Sequence, residues 1–350
     1  PLLMIDDLCR YLERAGNNQI PFIRTGTNGF LFAKSHRPDF TDKIHTLANR
    51  LAATPVRNFW ISMDSSYPDV HESMRGFDGV VNGIAAALPI FHEAGLFPSV
   101  NLGINRNLGG TATAQLAPED FLHTDHYEAA VYFEYSQAFS KFFKQAVDLG
   151  FTIVNACYPM SIDPEKQGLS PVYQASTADH IVSYRRSEKK MVFQALHDTL
   201  EKFRHTIRIF TPQSALNALI HQYSDSPSFT SAPCQGGINY YFIDAASRHT
   251  FPCGYRGEED YGRYWQMTPA ALASEFHCRQ CDWECFRDPS ELVAPVLDLL
   301  SAPVAFAGKL IKNPSHYTLW AKDLLYYHAC DYFNGRVPPD YRRLKRFEKQ

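Results

Sequence analysis

No apolar run in this 350-residue chain reaches the ~18 residues of a membrane-spanning helix without meeting a charge or a breaker. The opening residues (MIDDL) are acidic and lack the basic n-region of a secretory signal peptide. An excess of one charge is also missing. With 34 Lys and Arg against 37 Asp and Glu the net charge is −3, so no broad basic field points to nucleic acid. The basic ending YRRLKRFEKQ reads as a short solvated charge run. Neither a membrane nor a nucleic acid is therefore expected as a partner. Cysteine, by contrast, is plentiful, with eight residues. Without an export signal they point to a reducing compartment, and hence a cytoplasmic location, with thiols serving metals rather than disulfides. At 45% hydrophobic and 20% charged residues the composition is that of an ordinary globular chain, long enough for one large domain or two smaller ones.

The first 160 or so residues alternate two periodicities. Short apolar runs at Gln19–Thr25, Val56–Asp64, Phe97–Asn105 and Phe151–Tyr158 read as strands. Between them Thr41–Ala53, Phe77–Ala94 and Tyr135–Leu149 read as amphipathic helices, the last two closed by Gly95 and Gly150. Strand–helix alternation of this kind predicts parallel βαβ units. Four strands are too few for a closed eight-strand barrel, so an open sheet or partial barrel is expected. Polar residues gather where the strands end: Gly26-Thr27-Asn28-Gly29, Ser62-Met63-Asp64-Ser65 and Asn105-Arg106-Asn107. In parallel α/β folds that rim is where ligands bind, although each loop taken singly is also ordinary turn chemistry.

Five of the eight cysteines fall between residues 234 and 285. Cys234 and Cys253 flank a predicted β-hairpin, with strands at Ile238–Ile243 and His249–Cys253 and a turn at Asp244–Arg248. A helical stretch, Pro269–Phe276, leads to His277 and then to CRQCDWEC, which contains Cys278, Cys281 and Cys285. A hydrophobic core has no reason to concentrate thiols in this way, whereas a soft metal or an iron–sulfur cluster does. Spacing alone leaves structural zinc and a cluster equally open. Beyond Asp288-Pro289 the chain reads as helices, at Ser290–Leu300 and Tyr317–Phe333.

Thr27-Asn28-Gly29 and Ser62-x-Asp64, after successive strands, with His71-x-x-x-Arg75-Gly76 soon after, resemble the core of radical S-adenosylmethionine (AdoMet) enzymes. Pro1-Leu2-Leu3 looks like the end of that family's G-G-E-P segment. The resemblance spans residues 1 to about 160 and makes the four strands the third to sixth of a six-strand partial barrel. It implies that Thr27 and Asn28 shape an AdoMet site and that Ser62 and Asp64 meet its ribose or methionyl portion. Arg75 is implied for its carboxylate, and Asn105 for the same rim. The family's CxxxCxxC lies upstream of these motifs and does not occur here, since Cys9 and Cys157 stand alone. The AdoMet-cleaving cluster is accordingly expected in a preceding segment of a longer protein.

The hairpin-flanking cysteines and the later CxxC resemble the SPASM or shorter twitch extension of the same family, which ligates an auxiliary [4Fe–4S] cluster. Cys234, Cys253, Cys278 and Cys281 match that pattern, with Cys285 as a competitor, and Arg248 stands where the family has glycine. The expected architecture is α/β: a partial barrel over 1–165, a connector over 166–230, a cysteine module over 231–289 and a helical tail over 290–350. The implied activity is hydrogen abstraction by a 5′-deoxyadenosyl radical, with a peptide substrate and a flavodoxin or ferredoxin as electron donor. The alternatives are a zinc- or cluster-stapled binding scaffold with a degenerate barrel, and a small-molecule dehydrogenase or epimerase of the same family.

Overall fold

Five strands pair in parallel in the computed structural model, in the order β1-β2-β3-β4-β5. The structure describes residues 2–160, 170–172, 180–224, 231–267 and 278–348. The predicted helix Pro269–Phe276, His277 and Pro1 lie outside the described residues. The strands are β1 (Arg24–Thr27), β2 (Asn58–Met63), β3 (Ser99–Gly103), β4 (Ile153–Cys157) and β5 (Arg208–Ile209). Thr25 pairs with Phe59, Ile61 with Val100, Asn101 with Asn155 and Ile153 with Arg208. Spatial order equals chain order. With right-handed crossovers, a sheet that always advances in one direction keeps its crossovers on one face, as a barrel does.

The helices of this part are α1 (Ile5–Asn17), α2 (Phe40–Ala52), α3 (Pro68–Arg75), α4 (Val80–Glu93), α5 (Thr111–Ala114) and α6 (Thr124–Leu149). The core is formed by Phe59, Ile61, Val100, Leu102 and Val154 on the sheet and Ile84, Leu88, Phe91, Phe139 and Phe142 on α4 and α6, all essentially inaccessible. Aromatic pairs tighten it, with the Phe59 and Phe91 rings 4.9 Å apart.

Two expectations need correction. Among the described residues the sheet has a fifth strand beyond the four read over the first 160 residues: β5 is only two residues long and carries Arg208, so its apolar signal is weak. The helix expected over Phe77–Ala94 is α4, but a further helix that the sequence reading missed, α3, precedes it, and the two are separated by Gly76 and Gly79, both at positive φ. Glu72 enforces the break, because its carboxylate accepts the Gly79 and Val81 N–H groups (2.7 and 3.1 Å) and so caps α4 from the end of α3.

The chain divides into two compact units. The first comprises 1–157, 195–211 and 322–350, and the second 158–194 and 212–321. In the first, the C-terminal segment closes the amino ends of the strands. The Phe97 N–H donates to Gly335 O, and the Arg208 guanidinium donates to the carbonyls of Asn334 and Val337. Arg204 and Asp323 form a buried ion pair at 2.6 Å.

The second unit contains α8 (Gln213–Tyr223), the hairpin β6 (Phe242–Ile243) and β7 (Thr250–Phe251), α9 (Glu284–Ser301) and α10 (Pro303–Lys312). Two further helices, α7 (Arg186–Phe203) and α11 (Pro314–Ala329), contribute residues to both units. The hairpin is antiparallel, with Phe242 opposite Phe251, and shorter than the sequence suggested. Helix α9 begins earlier than expected, directly after Trp283, and continues through Pro289 and Pro295. Both prolines lie inside the helix, where each removes one N–H bond to the preceding turn.

Candidate functional sites

The first candidate site lies at the carboxyl ends of β1 and β2. A cavity of about 570 Å³ opens there, lined by Gly26, Thr27, Asn28, Trp60 and Ser62 with Phe30 and Phe77 as aromatic walls. Gly26 pairs with Trp60 across the sheet, and a Cβ at position 26 would stand 1.9 Å from the indole. Glycine is therefore required for the tryptophan to lie over β1 as the wall of the cavity. The loop orders itself: the Gly29 N–H donates to Thr27 Oγ1 (3.2 Å) and the Phe30 N–H to Asn28 Oδ1 (3.3 Å). Three of the six residues expected at an AdoMet site thus line one cavity: Thr27, Asn28 and Ser62.

The other three support the rim from within. Asp64 and Arg75 form a two-pronged ion pair, Nε to Oδ2 at 2.5 Å and Nη2 to Oδ1 at 2.8 Å. The fully buried His71 accepts the Asp64 N–H on Nδ1 at 3.1 Å. Burial pushes the Asp64 carboxyl up, but His71 and Arg75 outweigh it and hold the group below the usual carboxylate range. Asn105 is 3% exposed, and its amide is spent on the fold. Its NH₂ donates to Asp64 O (2.8 Å) and Gly103 O (2.7 Å), and its oxygen accepts the Asn107 N–H (2.7 Å). Sequence reasoning overlooked the walls Trp60, Phe30 and Phe77. The signal was an aromatic residue within two positions of each motif.

The second candidate site is the cysteine module. Cys234 and Cys281 belong to one buried cluster with Tyr255, Trp283 and Phe286, and Cys253 and Cys278 pack against it. Three segments far apart in sequence thus bring four thiols together, and the Cys234 N–H donates directly to Cys278 O at 2.8 Å. Cys285 is exposed on the first turn of α9, with its thiol 3.6 Å from Glu284 Oε1, and lies outside the cluster. Burial pushes the Cys253 thiol up to about 12 and raises Cys234 and Cys281 as well.

Against this desolvation stands a repeated local device. The Gly236 N–H donates to Cys234 Sγ at 3.3 Å, and the backbone of Tyr255 and of Trp283 works against the rise at Cys253 and Cys281. In each case the residue lies two positions beyond the cysteine. A Cβ at 236 would be crowded, 3.0 Å from Pro252 O and 3.3 Å from Cys234 Sγ. Peptide N–H groups aimed at sulfur favour the thiolate, the form that binds metal. The donor set suits a soft, thiolate-bound metal centre. Among the described residues, however, no three His, Cys, Asp or Glu side chains stand as a formed ligand group.

A buried pair behind the thiols escaped the sequence reading. Arg287, 1% exposed at its side chain, contacts Glu291 at 3.1 Å and donates to Ala232 O at 3.0 Å. The nearby Cys281, Cys234 and Cys278 favour its charge. The signal was an Arg–Glu i,i+4 pair on the helix that follows the last cysteines.

No protein-family model matches the chain, and no curated protein matches it in sequence. Among solved structures, native anSMEcpe with bound AdoMet aligns at 14% identity and a TM-score of 0.43. The alignment covers 77% of this chain and 62% of that one, so the chain spans less than two thirds of its length. Among the described residues no helix is long and apolar enough to cross a membrane.

Proposed function

We propose that the chain belongs to a radical AdoMet enzyme whose AdoMet pocket is the cavity at the ends of β1 and β2 and whose four clustered cysteines hold an auxiliary iron–sulfur cluster. The observation that carries this reading is the convergence of Cys234, Cys253, Cys278 and Cys281 on one buried cluster, with the Gly236 N–H turned onto the Cys234 sulfur. The motifs add a second support, since Thr27, Asn28 and Ser62 share one cavity and Asp64, His71 and Arg75 brace the strand end beside it.

When bound, the cluster would supply one-electron chemistry. The chain's own contribution is separate from that chemistry. The aromatic walls flank the cavity, the Thr27–Gly29 loop presents polar atoms at its edge, and the Asp64–Arg75 pair fixes the end of β2. A peptide substrate and a flavodoxin or ferredoxin donor belong to the same proposal. Calorimetric titration with AdoMet tests it. Saturable binding is expected in the native chain, and Ser62→Phe, which fills the cavity, should abolish it. Absence of binding in the native chain, or equal binding in the variant, overturns the assignment of the pocket.

A further inference from the structure

The second unit holds another cavity, of about 320 Å³, that neither the motifs nor the proposed chemistry uses. It is bounded by the Ser231–Pro233 segment, by Arg279 and by α9, α10 and the start of α11. Its size falls at the lower end of the roughly 300–1,000 Å³ range of small-molecule sites.

The charges around it do not cancel. Glu291 is neutralised by Arg287 behind the wall, and Asp298 is paired with Lys309 at 2.6 Å. Arg279 and Lys312 remain. Among the described residues neither has a carboxylate within ion-pair distance. Arg279 is held by a single bond from Nε to the Ser231 carbonyl at 2.8 Å, which leaves the two terminal nitrogens of its fork available. The lining thus carries three cations, Arg279, Lys309 and Lys312, against two carboxylates, Asp298 and a Glu291 that also feels Arg279. The Asn313 amide lines the same wall, and Ala294, Pro295 and Tyr317 supply an apolar side. A guanidinium fork and a lysine ammonium flanking one cleft match an oxyanion carrying two charges.

We propose that this cleft binds a small phosphate monoester, its phosphate held between Arg279 and Lys312 and its carbon body against Pro295 and Tyr317. The site uses neither AdoMet nor a metal as part of its lining. Because Arg279 lies between Cys278 and Cys281, occupancy would also be felt in the thiol loop.

The test is calorimetry on the full chain with glycerol 3-phosphate as probe, inorganic phosphate as competitor and succinate as a dicarboxylate control. Saturable binding of glycerol 3-phosphate, displaced by inorganic phosphate, is expected. Lys312 is exposed on its helix, so Lys312→Ala should keep the fold by circular dichroism while weakening binding about tenfold. In the native chain the affinity should fall steeply with added sodium chloride. Binding that does not saturate by about 10 mM, or that is unchanged in Lys312→Ala, overturns the site. Succinate binding more tightly than glycerol 3-phosphate overturns the choice of phosphate.

Discussion

Arg248 turns the hairpin with φ at +63°, a left-handed conformation in which a Cβ is strained, and it stands where the resembling family carries glycine. An L-residue there costs about 1–2 kcal/mol, part of which glycine gives back through the entropy of the unfolded chain. Arg248→Gly should therefore raise stability by about 0.5–1 kcal/mol in urea denaturation, and a loss would mean that the side chain holds the turn. At the strand rim the Asp64–Arg75 pair is only 13% and 25% exposed at its side chains. Removing the guanidinium by Arg75→Met should cost about 3 kcal/mol, because a largely buried carboxylate is left without its partner.

The pH dependence of that pair has a definite sign. The folded pKa of Asp64 lies below the ordinary aspartate value of 3.8, so the stabilisation is complete above that value and disappears as pH falls through the folded pKa. Native and Arg75→Met chains should accordingly converge in stability as the pH drops below about 4, and parallel curves down to pH 2 would contradict the pairing. At this scale the cysteines were legible, since thiols at hairpin ends and in a CxxC have few structural reasons to cluster. Arg287 and Glu291 were not, because an i,i+4 pair on a helix looks the same whether it faces water or a buried thiol cluster.

Among the elements, β2, β3 and β4 fell within the runs read from sequence because β-branched and aromatic residues bounded by Gly, Pro and Asn mark buried parallel strands directly. The strand β1 sits later than expected, over Arg24–Thr27, because its register is set by Gly26 under Trp60 and not by the apolar run that precedes it. The short strand β5 is held by tertiary partners that local sequence does not reveal: the Ile209 N–H donates to Tyr326 Oη, and Arg208 donates to Thr152 and Asn334. The Arg204–Asp323 pair ties the end of α7 to α11 across 119 residues of sequence, with both side chains almost wholly buried. Asp323→Ala strands a buried guanidinium and should cost about 3–5 kcal/mol, read as a lower urea midpoint. A cost below about 1 kcal/mol would show that water reaches Arg204 and that the C-terminal segment is not closed on the sheet.

At the scale of the whole molecule, the chain forms one unit built on a parallel sheet and a second that carries the cysteine module, and it returns to the first at residues 195–211 and 322–350. Strand–helix alternation made the α/β class legible. The return of the C-terminal residues was not, because a helix with apolar residues on much of its surface does not say which sheet it covers. The claim on which the functional account rests is that Cys234, Cys253, Cys278 and Cys281, and not Cys285, form a metal site. Iron, sulfide and zinc should be quantified after anaerobic reconstitution of the native chain, Cys253→Ser and Cys285→Ser. About four irons and four sulfides per native chain, lost in Cys253→Ser and retained in Cys285→Ser, is the predicted result. About one zinc per chain with no iron, or iron lost equally in Cys285→Ser, would contradict it.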